Sequence, residues 1–428
     1  MKKKVALLLT IVLMVTMFIP VGIAETAQPY AGQTLRVVLG NHAWTTSLKP
    51  YIPEFEEATG IRVVLEEYEI NQMTEKVAIE LAAKSDTLDV WMTRPQQDLL
   101  HDVKSGWLEP LNRFTDGDKE YEVEDFMSAA LDACSKEGVL YGIPICSERQ
   151  LLYYRKDLFE KAGVKVPTTM DELMEAAEKL HDPANGVYGF VHRSLVGMCQ
   201  VVSFLYSFGG GYQDAEGNSI LSTPESVAGF EYYGKILSNY SAPSPESLDY
   251  LEVFALFAQG KAAMISDVDA NYLLLADPSA TEYSEVIGYA EFPAGPAGSR
   301  PINSCSFSLS INAFSAQKEA AWEFIKWATG KEINGRIQAN GAPTARKSAW
   351  NDAELNKNLP EELVAVNQAI MAVDGGVGID RPITLNFNEA KEYVNMAIYE
   401  SIVRKGENLA EFMAEMDGYL NDIYANDK

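Results

Sequence analysis

Between residues 35 and 93 the chain alternates short apolar, β-branched runs with stretches of helical periodicity, and this alternation narrows the fold more than any other feature. The run at 35–39 is followed by Leu48, Ile52, Phe55 and Ala58 at helical spacing, stopping at Gly60. IRVVLEEY reads as the next strand, NQMTEKVAIELAAKS as the next helix and TLDVWMT as a third strand. A β-α-β-α-β order implies a parallel, twisted sheet with helices on both faces. Ligands of such sheets sit beyond the carboxyl ends of the strands. Asn41, His42 and Trp44 stand at one such end and Arg94 at another, so these side chains are expected to face a ligand.

The rest of the chain keeps to the same α/β class. KEGVLYGIPI reads as a tight turn at Gly138 and a strand ending at Pro144. PTTMDELMEAAEKL starts a helix capped by Thr169, with Leu173, Ala176, Ala177 and Leu180 facing inward. VVSFLYSFGGGY is a buried helix closed by glycines, and KEAAWEFIKWATG an amphipathic helix ended by Gly330. FAQGKAAMISDVDANYLLL places a strand at 262–265 and a polar loop after it, and EFPAGPAGSRPINS is a connector. From about residue 361 the pattern is mostly helical. A chain of 428 residues exceeds one ordinary core. With no repeat and no low-complexity linker, two lobes joined by short crossovers are expected.

The first residues set the expected compartment. Lys2, Lys3 and Lys4 precede an apolar run at 5–19, and Gly22 and Ala24 supply the small residues of a signal-peptidase site. The run falls short of the roughly 20 apolar residues of a spanning helix. The expectation is a cleaved signal peptide at 1–24, with an uncleaved anchor as the alternative. No cysteine marks a lipid-attachment site there, which points to a periplasm or the outer face of the cell membrane. A formal net charge of −26 sets nucleic acid and anionic lipid aside as partners. Cys134, Cys146, Cys199 and Cys305 follow no metal-ligand spacing. Cys134 and Cys146 are the nearest pair, and all four read as small buried hydrophobes.

Catalytic signatures are scarce. GxSxG and HExxH are absent, and His42, His101, His181 and His192 are isolated from one another. SFGGGYQ and DGGVGID lack the spacing of a phosphate-binding loop. With 61 acidic residues, some carboxylate pair for a glycosidase is always available. Asp267 and Asp269 are one such pair, and a solvated loop or helix cap explains them equally well. What the chain does offer is aromatic faces, in Trp44, Trp91 and Tyr272, beside the hydrogen-bonding groups of Asn41, Arg94, Glu148, Asp267 and Asp269. Sugars need this combination, because rings cover the apolar C–H face while polar groups meet the hydroxyls. Trp91, Trp107, Trp322 and Trp327 fit the hydrophobic pattern and are expected in the core.

FEEATGIRV, LDVWMTRP, GVLYGIPICSERQLLYYRKDLFEKAGV, PTTMDEL, FAQGKAAMIS, KEAAWEFIKWATG and GAPTARKS, in that order, resemble the extracellular solute-binding proteins of ABC importers. The nearest type is the sugar-binding branch that contains maltose-binding protein. The resemblance implies a two-lobed periplasmic-binding-protein-like α/β fold with a hinge and an interlobe ligand cleft. It implies one lobe from 33–145 and 302–345 and another from 146–301 and 346–428. NHAW occupies the first lobe's ligand loop, GIPICSE matches the first hinge, and Glu148 falls where maltose-type proteins place a ligand-binding glutamate. Asn303, after the second crossover, is a further candidate. The loop after GKAAM often carries Gly-Pro-Trp in the family; SDVDANY stands here instead, so a stacking tryptophan is missing. That departure favours a monosaccharide, short oligosaccharide or polyol over a maltodextrin, and Tyr272 becomes the aromatic of that loop. The same acidic pair would suit a polyamine or other cation. The expected protein is a non-catalytic monomer without cofactor or metal that delivers its solute to a membrane permease. A secreted glycosidase or lyase is the alternative.

Overall fold

The computed structural model describes residues 28–427 apart from 196, 277–278, 305–306 and 373–379. The expected signal peptide at 1–24, Cys305 and most of the glycine-rich run at 374–380 lie outside the described residues. Among the described residues the strands are β1 (Thr34–Gly40), β2 (Arg62–Tyr68), β3 (Val90–Thr93), β4 (Ser135–Lys136), β5 (Val139–Leu140), β6 (Ile143–Pro144), β7 (Glu148–Arg155), β8 (Met264–Val268), β9 (Ile287–Glu291), β10 (Asn303–Ser304) and β11 (Ser308–Ile311).

The first sheet runs β2-β1-β3-β11-β6. Helices Ile52–Thr59 and Ile70–Ala82 cross over between its first three strands, so β1 pairs in parallel with β2 and β3, Val37 opposite Leu65 and Val90. β11 enters from the other lobe rather than over a helix, and it pairs antiparallel with both β3 and β6. The sheet is therefore mixed rather than wholly parallel. Leu35, Val37, Leu39, Phe55, Ile311 and Phe324 are among the residues of the core it shares with its helices.

In the second sheet β7 is central. β8 and β9 flank it antiparallel, and β10 pairs with its first residues. β8 starts two residues later than the periodicity suggests and ends at Val268, so Asp267 is a strand residue rather than part of an open loop. The shift is tolerated because Arg193 and Asn271 both donate to its Oδ1, at 2.9 Å each. Thr169 caps the helix Met170–Leu180 in a box with Glu172, the cap expected from PTTMDEL. The C-terminal helices Phe387–Val403 and Ala410–Ala425 pack on the second core, where Phe204, Tyr233, Ile398 and Leu420 meet. Among the described residues, no helix is long and apolar enough to cross a membrane. Trp91 and Trp322 are core residues, and Cys134 and Cys146 are buried thiols of the first core.

The chain passes between lobes after β6, after β10 and in the region of 340–360. Arg149, one residue into β7, is wholly buried at the first passage. Its guanidinium donates to Asp269 Oδ2 from Nε (3.0 Å) and Nη2 (2.5 Å), and its backbone N–H donates to Oδ1 (3.0 Å). The other edge reaches Met127 Sδ at 3.4 Å and lies over the Trp350 ring at 4.4 Å. Met127 and Trp350 belong to the first core, which thus extends beyond residue 345.

Two stability predictions follow from this packing. A Cβ on Gly234, in the helix Pro224–Tyr240, would lie 1.9 Å from the Ser401 carbonyl oxygen. Gly234→Ala forces two backbones apart and is expected to cost about 1–3 kcal/mol, read as a lowered Tm in calorimetry. Asp269→Ala leaves the Arg149 charge buried without its partner and is expected to cost about 3–5 kcal/mol in denaturant unfolding.

Candidate functional site

The end of β3, the start of the helix Met198–Phe208 and the segment around Arg381 meet at the cleft between the lobes. The main cavity there has a volume of about 1050 Å³, and Arg94, Asp98, Met198, Cys199, Phe307 and Arg381 are among its lining residues. His42 is the N-cap of the helix Ala43–Leu48, and its Nδ1 accepts the Trp44 N–H at 3.2 Å. That bond places the ring proton on Nε2. Desolvation pushes the pKa of the half-buried ring down to about 4, so at neutral pH His42 is an uncharged donor. Its ring lies 5.0 Å from that of Phe307. Nitrogen, sulfur and oxygen atoms of His42, Cys146 and Glu148 lie within 4.8 Å of one another, the one such trio among the described residues. The Nδ1 lone pair already accepts a hydrogen bond, which suits contact with a hydroxyl better than metal ligation.

Three guanidinium–carboxylate pairs bear on the site, two of them with members that line the cavity. Arg94 holds Asp98 through Nε (2.7 Å) and Nη2 (3.0 Å). Arg381 holds Asp380 through Nε (2.5 Å) and Nη2 (3.0 Å), and the same Nη2 reaches Cys199 Sγ at 2.9 Å. Arg193 reaches Asp267 on the second lobe's side. Burial pushes the Cys199 thiol up to about 11, so it stays protonated. Burial also raises the Asp267 carboxyl, against the pull of Arg193, and its Oδ2 is shielded from solvent without a hydrogen bond.

Of the sequence candidates Arg94 lines the cavity, His42 lies beside it against Phe307, Glu148 lies with His42 and Cys146, and Asp267 pairs with Arg193, while the others lie elsewhere. Trp44, the second residue of the helix Ala43–Leu48, is fully buried in the first core, in the cluster that also holds Leu48 and Phe55. Asn41 closes the strand end, its amide donating to Glu67 Oε1 (3.0 Å) and the Tyr68 carbonyl (3.3 Å). Asp269 is fully engaged by Arg149. Tyr272 is buried, with its hydroxyl against Gly341, where a Cβ would come within 2.4 Å of it and φ is +91°. Asn303 sits in β10 opposite Arg149, and its side chain lies outside what is described. Sequence reasoning missed Arg193, Cys199, Phe307, Asp380 and Arg381. The only linear signal for them is Asp380-Arg381-Pro382 directly after a glycine-rich run, a weak one.

The family described as bacterial extracellular solute-binding protein matches residues 42–335. The mannitol-binding protein of Pseudomonas aeruginosa is 30% identical over 304 residues, 68% of each chain. A solute-binding protein of an ABC transporter from Agrobacterium vitis S4, solved with bound D-mannitol, has TM-score 0.72 at 25% identity, covering 92% of this chain and 99% of that one. Another, from Agrobacterium radiobacter K84 in complex with ribitol, has TM-score 0.77 at 24% identity over the same shares, 92% and 99%. The match begins at His42 and takes in every strand named above except β1. With two lobes, crossover strands and a polar cleft between them, this chain belongs to the bacterial extracellular solute-binding proteins.

Proposed function

We propose that the protein captures a neutral, hydroxyl-rich solute outside the cytoplasm and delivers it to the permease of an ABC importer. An alditol or monosaccharide is the class that fits best. The observation that carries this reading is the pairing of Arg94, Arg193 and Arg381, each with its own carboxylate. Such pairs hold donors and acceptors in fixed directions while leaving little net charge for an ion to neutralise. A polyamine would need unpaired carboxylates, and Asp267 and Asp269 both hold arginine. The same pairing argues against a glycosidase, whose acid and nucleophile must face the substrate. Phe307 offers a small aromatic face and Trp44 none, which suits a linear alditol better than stacked pyranose rings. The mannitol and ribitol bound by relatives point to the same class.

The proposed cycle opens with solute meeting His42 and Arg94 on one side of the cleft and Glu148 and Arg381 on the other. Closure follows because the closed form binds it better, and the closed form docks on the permease. The moving bodies are 33–145 with 302–345 and 146–301 with 346–428, Arg346 and Trp350 staying with the first. An exported monomer, freed of residues 1–24, is the working form.

Titration calorimetry against an alditol and monosaccharide panel tests the reading, with recovered solute checked for turnover. A true ligand at 100 times its Kd adds about 2.7 kcal/mol of stability. Glu148→Ala is expected to weaken binding roughly 10- to 100-fold with little change in Tm, since a charged hydrogen bond contributes about 1.5–3 kcal/mol. An unchanged Kd would remove Glu148 from the site. Because His42 is depressed to about 4, affinity is expected to stay level from pH 8 to pH 5 and fall as pH drops through 4. Its linked effect on folding runs the same way, complete above pH 6.5 and lost between 6.5 and 4, where the unfolded ring takes the proton first. An affinity midpoint near 6.5 would show a normally solvated ring.

A further inference from the structure

The cleft cavity is longer than a hexitol needs. Its lining follows one face of the helix Ile70–Ala82, from Ile70 and Asn71 just beyond the end of β2 to Leu81 near the far end of the helix. At about 1.5 Å per residue, that stretch of helix rises roughly 16 Å. Polarity changes along it. Near the cleft the walls carry Asn71, Thr74, Arg94 and Asp98, and farther out Val77, Ala78, Leu81 and Trp107. Trp107, expected in the core, is half-buried and lines the cavity instead. The His101 ring stands edge-on to it, with centroids 4.9 Å apart and planes at 76°, which fixes the indole. His101 Nδ1 and Asp102 Oδ1 bond each other at 3.0 Å, so these polar groups already have partners. From the second lobe, Asn388, Lys391, Glu392 and Asn395 of the helix Phe387–Val403 line the cavity as well. The apolar stretch of the first lobe therefore shares the cavity with a polar wall of the second.

We propose that the solute is amphiphilic, a sugar or alditol head held in the cleft and joined to a small, uncharged aromatic group that lies along this helix against Trp107. The inference rests on the polyol reading of the cleft and names what the head carries. A cavity of about 1050 Å³ lies at the upper end of ordinary ligand pockets, roughly 300–1,000 Å³. A free alditol would leave Ala78 and the exposed part of Trp107 in water. Covering them removes apolar surface from water, and a ring paired with the indole gains beyond the area buried. Asp98 and Asp102, the carboxylates on the side of the helix Pro95–Lys104, are already bonded to Arg94 and His101, which favours an uncharged tail over a cationic one. Head and tail share one cavity, so a covalent link between them lets both bind for a single loss of translational and rotational freedom.

Calorimetry with the methyl and phenyl β-glycosides of glucose, galactose, mannose and xylose tests the inference. For any sugar that binds, the phenyl glycoside is expected to bind roughly tenfold or more tightly than its methyl counterpart. Ala78→Trp fills the apolar stretch and is expected to erase that difference while leaving affinity for the methyl glycoside unchanged. Saturation-transfer NMR on free phenol reads the same stretch without a sugar, with signal expected in wild type and none in the variant. Equal affinity of the phenyl and methyl glycosides in wild type overturns the inference, and so does a phenol signal that Ala78→Trp leaves unchanged. Phenol bound by wild type and lost in the variant supports the aromatic subsite even where no alditol or glycoside binds, so this inference and the polyol reading fail separately. Should Ala78→Trp not fold, Ala78→Glu puts a charge at the same half-buried position and is read in the same way.

Discussion

Arg149 holds the two lobes in register. It donates three bonds to Asp269 at the end of β8 while its other face meets Met127 and Trp350 of the first core, all out of contact with water. A buried guanidinium is costly unless every donor finds a partner, so the strand that carries it has one acceptable position. That position places its neighbours, with Glu148 beside His42 and Cys146 and Gln150 within the second lobe, where Gln150 bonds Ser203 and Ser266. The crossover can flex around this point only as far as the bonds to Asp269 allow, which makes it a hinge with a defined axis.

The cleft repeats the same device in milder form. Each of its arginines is oriented by a carboxylate, so its remaining N–H groups point in directions set before any solute arrives. Donors held in place lose little entropy on binding. The uncharged His42 and the protonated Cys199 add hydrogen-bonding capacity without adding charge. A site of this type discriminates by the positions of hydroxyls rather than by the sign of a charge, and that is what separates one alditol from another.

Much of the fold was legible in the chain. The alternation over 35–93 predicted the parallel β1, β2 and β3, Thr169 announced a helix start that the structure closes with Glu172, and the spacing in KEAAWEFIKWATG marked the helix Lys318–Ala328. These features depend on neighbours three or four residues away. The antiparallel entry of β11 was not legible, because nothing local records that the chain has just returned from another lobe. For the cleft, strand ends located His42 and Arg94 but could not say which way each side chain turns. Trp44 lies two residues from His42, and one turn of helix carries it from the ligand wall into the core. Asp267 and Asp269 read as a free acidic pair because Arg149 and Arg193, more than 70 residues away, are invisible to any local pattern.

By itself the sequence determined the α/β class, the ordered motifs of a solute receptor and the acidic surface, since these depend on composition and on short-range periodicity. Tertiary structure alone decided which polar groups are available to a ligand. Arg381 reaches the cleft from 182 residues beyond Cys199, and Asp269 is withdrawn from it by an arginine 120 residues away. A charged side chain is free or engaged according to what folding brings within about 3 Å of it, and that distance is set by the packing of whole lobes.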